Sequence, residues 1–443
     1  MTLLDLTPRA TVADRLATLP VLIIGAGPIG LAAAAHLVER GIDFTLLEAG
    51  DVPASSIRLW GHTRLFSPWR HLIDPASRRL LEAAGWMPPA DDGRAPTGSE
   101  LVDAYLAPLA ELQPLRARIR YGARVVAVAR EGMDRTRTSG RAKTPFLVRI
   151  ETTDGRIEEL TGRAVIDASG TYTTPNPLSS TGLDPIGAGA VTDRIVHALP
   201  DVLDRDRARF AGRHTTVVGA GHSAANTLIA LAELAEHEPG TRVTWLIRNA
   251  SAVRVSSSDD DELADRARLG SRVDRLVAGG AVGKVDSFEI SRVAALDHGV
   301  QGGGIRLIGS RHGEPAIHDA DVVVNATGFR PDLAVLREVR LALDDIVEAP
   351  VRLAPLIDPN VHSCGTVAPH GFDELRHPES GFFVVGMKSY GRAPTFLLAT
   401  GYEQVRSVVA WLDGDMRAAT EVRLTLPATG VCSTDAGGGS CCT

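Results

Sequence analysis

Gly25, Gly27 and Gly30 stand in a Gly-x-Gly-x-x-Gly spacing, with Pro28 and Ile29 before the last of them, and Glu48 follows eighteen residues after Gly30. Glycine at the first place allows a tight turn. At the second it lets backbone approach a pyrophosphate, and at the third it lets a helix pack closely on a strand. An acid at this distance is placed to accept hydrogen bonds from a ribose diol. The chemistry is therefore the binding of a dinucleotide. The pattern returns as Gly219, Gly221 and Ala224, with His222 and Ser223 between them, but here the following strand closes on Arg248-Asn249 without an acid. A guanidinium pairs with a 2′-phosphate that a carboxylate would repel, so the second site is expected to take NADPH rather than NADH.

These residues need particular elements to hold them. Residues 21–24 read as a buried strand, 31–40 as an Ala-rich helix and 44–47 as the strand that delivers Glu48. Residues 215–218, a helix from 225 to about 237 and the strand 242–247 do the same for the second site. Residues 21–38 hold no Asp, Glu, Lys or Arg, a length that alone would suit a membrane span. A glycine turn with Pro28 inside it marks a strand-turn-helix unit instead, and no membrane span is expected. Two further strand ends match each other: residues 164–170, closing in Ala-Ser-Gly170, and 321–328, closing in Ala-Thr-Gly328. A small-residue turn lets the chain pass close to a cofactor.

Strand, glycine turn, helix, strand and small-residue turn, twice in order, resemble the two-dinucleotide-binding-domain flavoproteins, the superfamily of flavin-containing monooxygenases and pyridine nucleotide-disulfide oxidoreductases. The resemblance covers roughly residues 20 to 412. It implies an α/β fold of two Rossmann-like, three-layer ββα domains, with the NADPH domain inserted in the FAD domain. The expected division is an N-terminal extension at 1–19, the FAD domain at 20–190 and 315–415, the NADPH domain at 191–314, and a flexible tail at 416–443. By the same resemblance Gly25, Gly27, Pro28, Ile29, Gly30 and Glu48 would bind FAD, and Gly219, Gly221, His222, Ser223, Ala224 and Arg248 would bind NADPH. Gly170 and Gly328 would lie against the cofactors.

Disulfide reductases of this class carry a Cys-x4-Cys or Cys-x2-Cys dithiol, whereas the first 363 residues here contain no cysteine. Residues 381–387 resemble the strand that meets the flavin's ribityl chain. Gly386-Met387 stands there in place of the reductases' Gly-Asp, similar to many flavin monooxygenases. A helix beginning near Pro394 would point its N-terminus at the flavin. Residues 57–69 also resemble monooxygenase sequence, which makes Trp60, Arg64 and Trp69, with Met387, the pocket candidates; no catalytic base is assigned. The Phe-x-Gly-x3-His fingerprint of these monooxygenases is not intact, and His197 stands nearest to its histidine.

Composition agrees with a globular enzyme. Of 443 residues, 44% are hydrophobic and 23% charged, which excludes a disordered or fibrous chain. A net charge of −7 leaves no basic field for a nucleic-acid backbone. The acidic run at 256–262 lacks the ligand spacing of a calcium loop and reads as a solvated helix start. Three of the four cysteines, Cys432, Cys441 and Cys442, fall in the last twelve residues on a Gly/Ser linker. Thiolates are soft ligands, so this trio is expected to capture As(III) or another soft ion. Scarce cysteine, with no signal-peptide core at the start, points to the cytoplasm.

The expected function is an NADPH-dependent FAD monooxygenase of the kind linked to arsenic resistance. With O2 it would oxidise a small molecule at a soft nucleophilic centre, either trivalent arsenic, an organoarsenical or sulfur. The alternatives are an NADPH-dependent flavin reductase of thiol-bound Hg(II) or a disulfide, and a non-catalytic metalloid- or redox-sensing flavoprotein.

Overall fold

A computed structural model describes residues 12–250, 264–297, 303–359, 369–393 and 396–424. Strand β1 (Val21–Ile24) is apolar and buried at every position, the pattern of a parallel strand covered on both faces. Helix α1 (Pro28–Glu39) follows it, and Leu31, Ala32, Ala33, Ala34, Ala35 and Leu37 are all fully buried. The charge-free stretch of the sequence is this strand and this helix. Among the described residues no helix is long and apolar enough to cross a membrane.

The strands of the first domain are β1, β2 (Phe44–Leu47), β3 (Ile119–Arg120), β4 (Ala123–Arg130), β5 (Phe146–Thr152), β6 (Ile157–Gly162) and β7 (Ala164–Asp167). The second domain holds β8 (Ile195–His197), β9 (His214–Val218), β10 (Arg242–Leu246), β11 (Gly283–Val285), β12 (Phe288–Leu296), β13 (Gly304–Arg311), β14 (Glu314–Ala320) and β15 (Val322–Asn325). The chain then returns to the first domain with β16 (Phe382–Val384). A parallel sheet in the order β16-β7-β1-β2-β3 forms one centre, and a parallel sheet in the order β11-β10-β9-β15-β8 forms the other. Each has its own three-stranded antiparallel sheet, β4-β5-β6 for the first and β12-β13-β14 for the second. Helices α2 (His222–His237) and α3 (Ala264–Ala278) belong to the second domain, and α4 (Leu398–Leu412) packs on α1 in the first. This is the three-layer pair with one domain inserted in the other.

The pairing moves both expected domain boundaries. Strands β14 and β15 hydrogen-bond within the second domain's sheets, so a division at 314 cuts through that domain, and its end lies after Asn325. At the other junction, Leu178 and Val191 share a core with Phe288, Ile290 and Val293, and Ile186 bridges to Arg292. Residues 178–190 therefore belong with the insert. Apolar burial decides this, and no local pattern announces it.

The two separated halves of the first domain are joined by a buried ion triad. Glu379 accepts hydrogen bonds from Arg130 Nε at 2.8 Å and from Arg141 Nε at 2.9 Å, and Arg130 lies 3.6 Å above the Phe146 ring. Removing one member of such a group typically costs about 3–5 kcal/mol, because it strands a charge in the interior.

Candidate nucleotide sites

At the first turn Gly25 has φ +96°, and a Cβ there would stand 2.9 Å from the Ala168 carbonyl oxygen. A Cβ on Gly30 would be 1.9 Å from the Gly25 carbonyl oxygen. Both glycines are demanded by the protein's own packing. Gly27 is different: nothing lies within 4 Å of the Cβ it lacks. It caps α1 with no side-chain hydrogen bond, and Pro28 takes the first helical place. The N–H groups of a helix start, beside a space that no atom of the described residues fills, make an anion cradle. The residues present fit a pyrophosphate.

Glu48 follows directly on β2 and is buried. Its Oε2 accepts from Ala26 N at 2.7 Å, and its Oε1 accepts from Gly50 N at 2.9 Å and from Ser55 Oγ at 2.7 Å. A carboxylate has about four lone-pair sites. One therefore remains for a ribose hydroxyl, and the other three hold the acid in place. Ser55 lies just before the monooxygenase-like stretch at 57–69, and its role is visible only in this contact.

Beneath the turn lies Asp167, at the end of β7 and in register with Ile24 of β1. Its Oδ1 accepts from Ser169 N at 3.1 Å and Ser169 Oγ at 2.6 Å, and its Oδ2 from Lys388 Nζ at 2.7 Å. Both ion-pair members are buried, with side-chain exposure of 2% for Lys388 and 0% for Asp167. Lys388 belongs to the turn after β16, whose Gly386 has φ +70° and would place a Cβ 3.1 Å from Ile29 Cγ1. Gly386 N donates to Gln404 Oε1 on α4 at 2.7 Å, and Met387 is half-buried. Sequence reasoning passed over Asp167, Lys388 and Gln404. An acid closing the otherwise apolar Ala164-Val165-Ile166 run was the available signal.

The second turn repeats the first with changes. Gly219 has φ +134° and would put a Cβ 2.2 Å from the Ala326 carbonyl oxygen, while the Cβ missing from Gly221 would again meet nothing within 4 Å. Gly221 caps α2 without a side-chain hydrogen bond, and Ala224 is fully buried. Trp245 Nε1 donates to the Gly219 carbonyl at 2.7 Å and fixes the turn. His222 and Ser223 open the helix half-buried, and the His222 ring lies 4.8 Å from that of Phe66 in the first domain. Arg248 is exposed, two residues beyond β10.

Two chain segments cross between the domains, and they pair. Asn176 N donates to the Gly328 carbonyl at 2.9 Å, and Arg330 N to the Thr174 carbonyl at 3.0 Å. Gly170 at φ +70° has open space where its Cβ would be, whereas at Gly328, φ +97°, a Cβ would stand 3.3 Å from Asn176 Nδ2. Tyr172 and Phe329, one from each crossing, close on His197 with ring centroids 4.7 and 5.3 Å away. Burial pushes the Tyr172 phenol up.

The pocket candidates differ in their surroundings. Trp69 is buried in the first core, and its indole N–H has no partner among the described residues. Arg64 is exposed and donates to the Ala95 carbonyl at 2.6 Å. Trp60 is half-buried against Gly98, whose missing Cβ would stand 3.0 Å from its ring. The late helix starts at Leu398; Pro394 lies outside the described residues, as do Cys432, Cys441, Cys442 and the 256–262 run.

The family described as pyridine nucleotide-disulphide oxidoreductase matches residues 22–352. No curated protein matches the sequence. Among solved structures, the bacillithiol disulfide reductase of Bacillus cereus aligns with a TM-score of 0.66 at 19% identity, over 90% of this chain and 99% of its own. The cadaverine monooxygenase of the desferrioxamine biosynthetic pathway from Erwinia amylovora, bound to FAD, aligns at 0.63 and 14% identity, over 93% and 98%. The ornithine N-hydroxylase of Kutzneria sp. 744, with reduced FAD, NADP+ and L-ornithine, aligns at 0.58 and 17% identity, over 91% and 100%. At these identities the likeness is one of fold, and the fold is shared by reductases and monooxygenases.

Proposed function

The chain belongs to the pyridine nucleotide-disulphide oxidoreductase family, and on that premise we propose that it is an NADPH-dependent FAD oxidoreductase that works as a monooxygenase on a soft nucleophilic centre. The observation that carries the two-cofactor reading is the pair of unfilled cradles at Gly27 and Gly221, one served by a buried acid and the other by an exposed arginine. The chemistry such cofactors supply is two-electron redox, with NADPH as reductant and O2 as oxidant.

The chain's own residues bind and orient. Gly27 and the start of α1 take the FAD pyrophosphate, and Glu48 takes a ribose hydroxyl. The Gly386-Met387 turn closes on the ribityl side. Gly221, His222 and Ser223 take the second pyrophosphate, and Arg248 pairs with the 2′-phosphate. The contact of Phe66 with His222 brings the first domain against the start of the second site.

The absence of any cysteine before Cys364 supports monooxygenation over dithiol reduction, since the first 363 residues offer no thiol to receive electrons. The clustered Cys432, Cys441 and Cys442 support a thiophilic substrate, trivalent arsenic above all. They also favour a second reading, delivery of Hg(II) or a disulfide to the flavin. NADPH oxidation measured by stopped flow against arsenite, methylarsenite, small thiols and Hg(II), with and without oxygen, separates the two. The expected result is substrate-stimulated oxidation only when O2 is present. Oxidation that proceeds with Hg(II) under argon would replace the monooxygenase by the reductase, and no turnover with any of them would leave a sensor.

A further inference from the structure

We propose that Lys388, clamped by Asp167, is a positioning and binding residue for FAD: the pair locks three loops around the cofactor and presents an ammonium N–H to the oxygens of its ribityl-phosphate segment. The inference rests on the FAD reading above and assigns to this residue the place that Met387 leaves without a polar group.

The three loops meet at this pair. The 168–169 backbone, which Asp167 holds through Ser169, packs directly on Gly25 of the first turn. Val385 N donates to the Asp167 carbonyl at 2.9 Å, and the 386–390 turn that follows presses on Ile29 at the start of α1. Lys388 reaches from that turn to Asp167 Oδ2 and, at 3.1 Å, to Ser169 Oγ. Gln404 holds the same turn from the other side through Gly386 N, and its amide also donates to Ser389 Oγ at 3.0 Å. Loosening the ion pair therefore frees the lid over the N-terminus of α1 while leaving both core sheets intact.

Stability alone does not account for the charges. A buried ion pair is often no more stabilising than neutral groups of the same shape, because desolvation offsets the attraction. The second domain supplies an internal control. In register with Val218, Asn325 makes the same turn with a neutral side chain, accepting from Thr327 N at 3.3 Å and Thr327 Oγ1 at 2.7 Å. The turn does not need a carboxylate. What Asp167 adds over Asn325 is a carboxylate oxygen that meets the Lys388 ammonium at 2.7 Å. An ammonium has three N–H donors; Asp167 and Ser169 take two, and the third remains for an anionic or hydroxyl oxygen of the cofactor. Met387, a thioether, is a weak acceptor and no donor.

The test compares Lys388→Met, Asp167→Asn and the double variant Asp167→Asn/Lys388→Met. The FAD dissociation constant is measured by flavin fluorescence titration of flavin-stripped protein, alongside the melting temperature of the same stripped samples. Lys388→Met is expected to weaken FAD roughly ten- to a hundredfold, the range of a lost hydrogen bond to a charged group, and to lower the melting temperature by stranding Asp167. The neutral double variant is expected to regain most of the melting temperature and none of the FAD affinity. Recovery of both in the double variant would make the pair structural and overturn the proposal, as would wild-type affinity in Lys388→Met. If Lys388→Met does not fold, the double variant alone decides. A wild-type protein that takes up no FAD would overturn the FAD reading as well, and is told apart by failing before any substitution is made.

Discussion

The two nucleotide folds follow one plan and finish it in opposite ways. In each, the central strand runs into a glycine turn, and the strand beside it ends in the same turn, Asp167-Ala168-Ser169-Gly170 in the first and Asn325-Ala326-Thr327-Gly328 in the second. In each, the acceptor oxygen of the first residue takes a backbone N–H and a hydroxyl two residues on. Asp167 then spends its other oxygen on Lys388, which draws the C-terminal turn over the site, whereas Asn325 Nδ2 donates to the Asn176 carbonyl at 2.8 Å in the interdomain crossing. Glu48 is buried under three hydrogen bonds, and Arg248 is exposed. A site closed by its own chain suits a cofactor that stays. A site with its selecting charge in solvent suits one that exchanges.

The largest effect is expected from the close approach that only the first turn makes. Gly30→Ala places a Cβ 1.9 Å from the Gly25 carbonyl, which forces α1 off the strand at about 3 kcal/mol, the upper end for overpacking. The purified variant should be colourless and melt lower, and the ratio of 450 to 280 nm absorbance reports it. Full flavin content would mean that this contact does not shape the site. In the second fold, Arg248→Ala should remove a charge-assisted contact of about 1.5–3 kcal/mol, weakening NADPH by roughly ten- to more than a hundredfold. NADH affinity should stay unchanged. Equal loss for both nucleotides would show Arg248 to be structural and would erase the contrast with Glu48.

A third effect, felt only below neutral pH, concerns a liability that both folds share. His318 in the second domain and His377 in the first are each pushed down to about 4 by burial; His214 lowers His318 further, and Asp319 opposes this. Folding therefore disfavours the protonated form of both. Their contribution to stability is complete above about pH 6.5, the ordinary imidazole value, and is lost as pH falls from there towards about 4. The melting temperature should be flat from pH 7 to 8 and decline through that window. His318→Gln should remove its own part of the second domain's share, His214 being lowered by burial there as well, read as slower acid-induced hydrogen exchange in β9 and β14. An unchanged profile in that variant would place the titration elsewhere.

The two sites were legible in the amino-acid order because a glycine turn is a local device. The demands of Gly25 for positive φ, of Gly27 for open space and of Pro28 for a helix start are met within a few consecutive residues, and the strand that delivers Glu48 shows its own apolar pattern. Strand β15 was legible too, as the apolar run at 321–328, but its domain was not, and β14 left no pattern that was read, since pairing partners are set by the insert's core rather than by spacing. Trp69 shows what residue type alone leaves open: a tryptophan in a monooxygenase-like stretch has the right type for a pocket, and only the tertiary structure shows it buried in the first core.

By itself the order of residues determined that there are two dinucleotide folds, that one ends in an acid and the other in an arginine, and that no dithiol lies in the first 363 positions. Tertiary structure alone decided what closes the first site. Lys388 and Asp167 are 221 residues apart, and Arg130 and Glu379 are 249 apart. Contacts of such separation leave no periodicity in the chain, because they exist only once the two halves of a divided domain have been packed against each other and the charges have been taken out of water together.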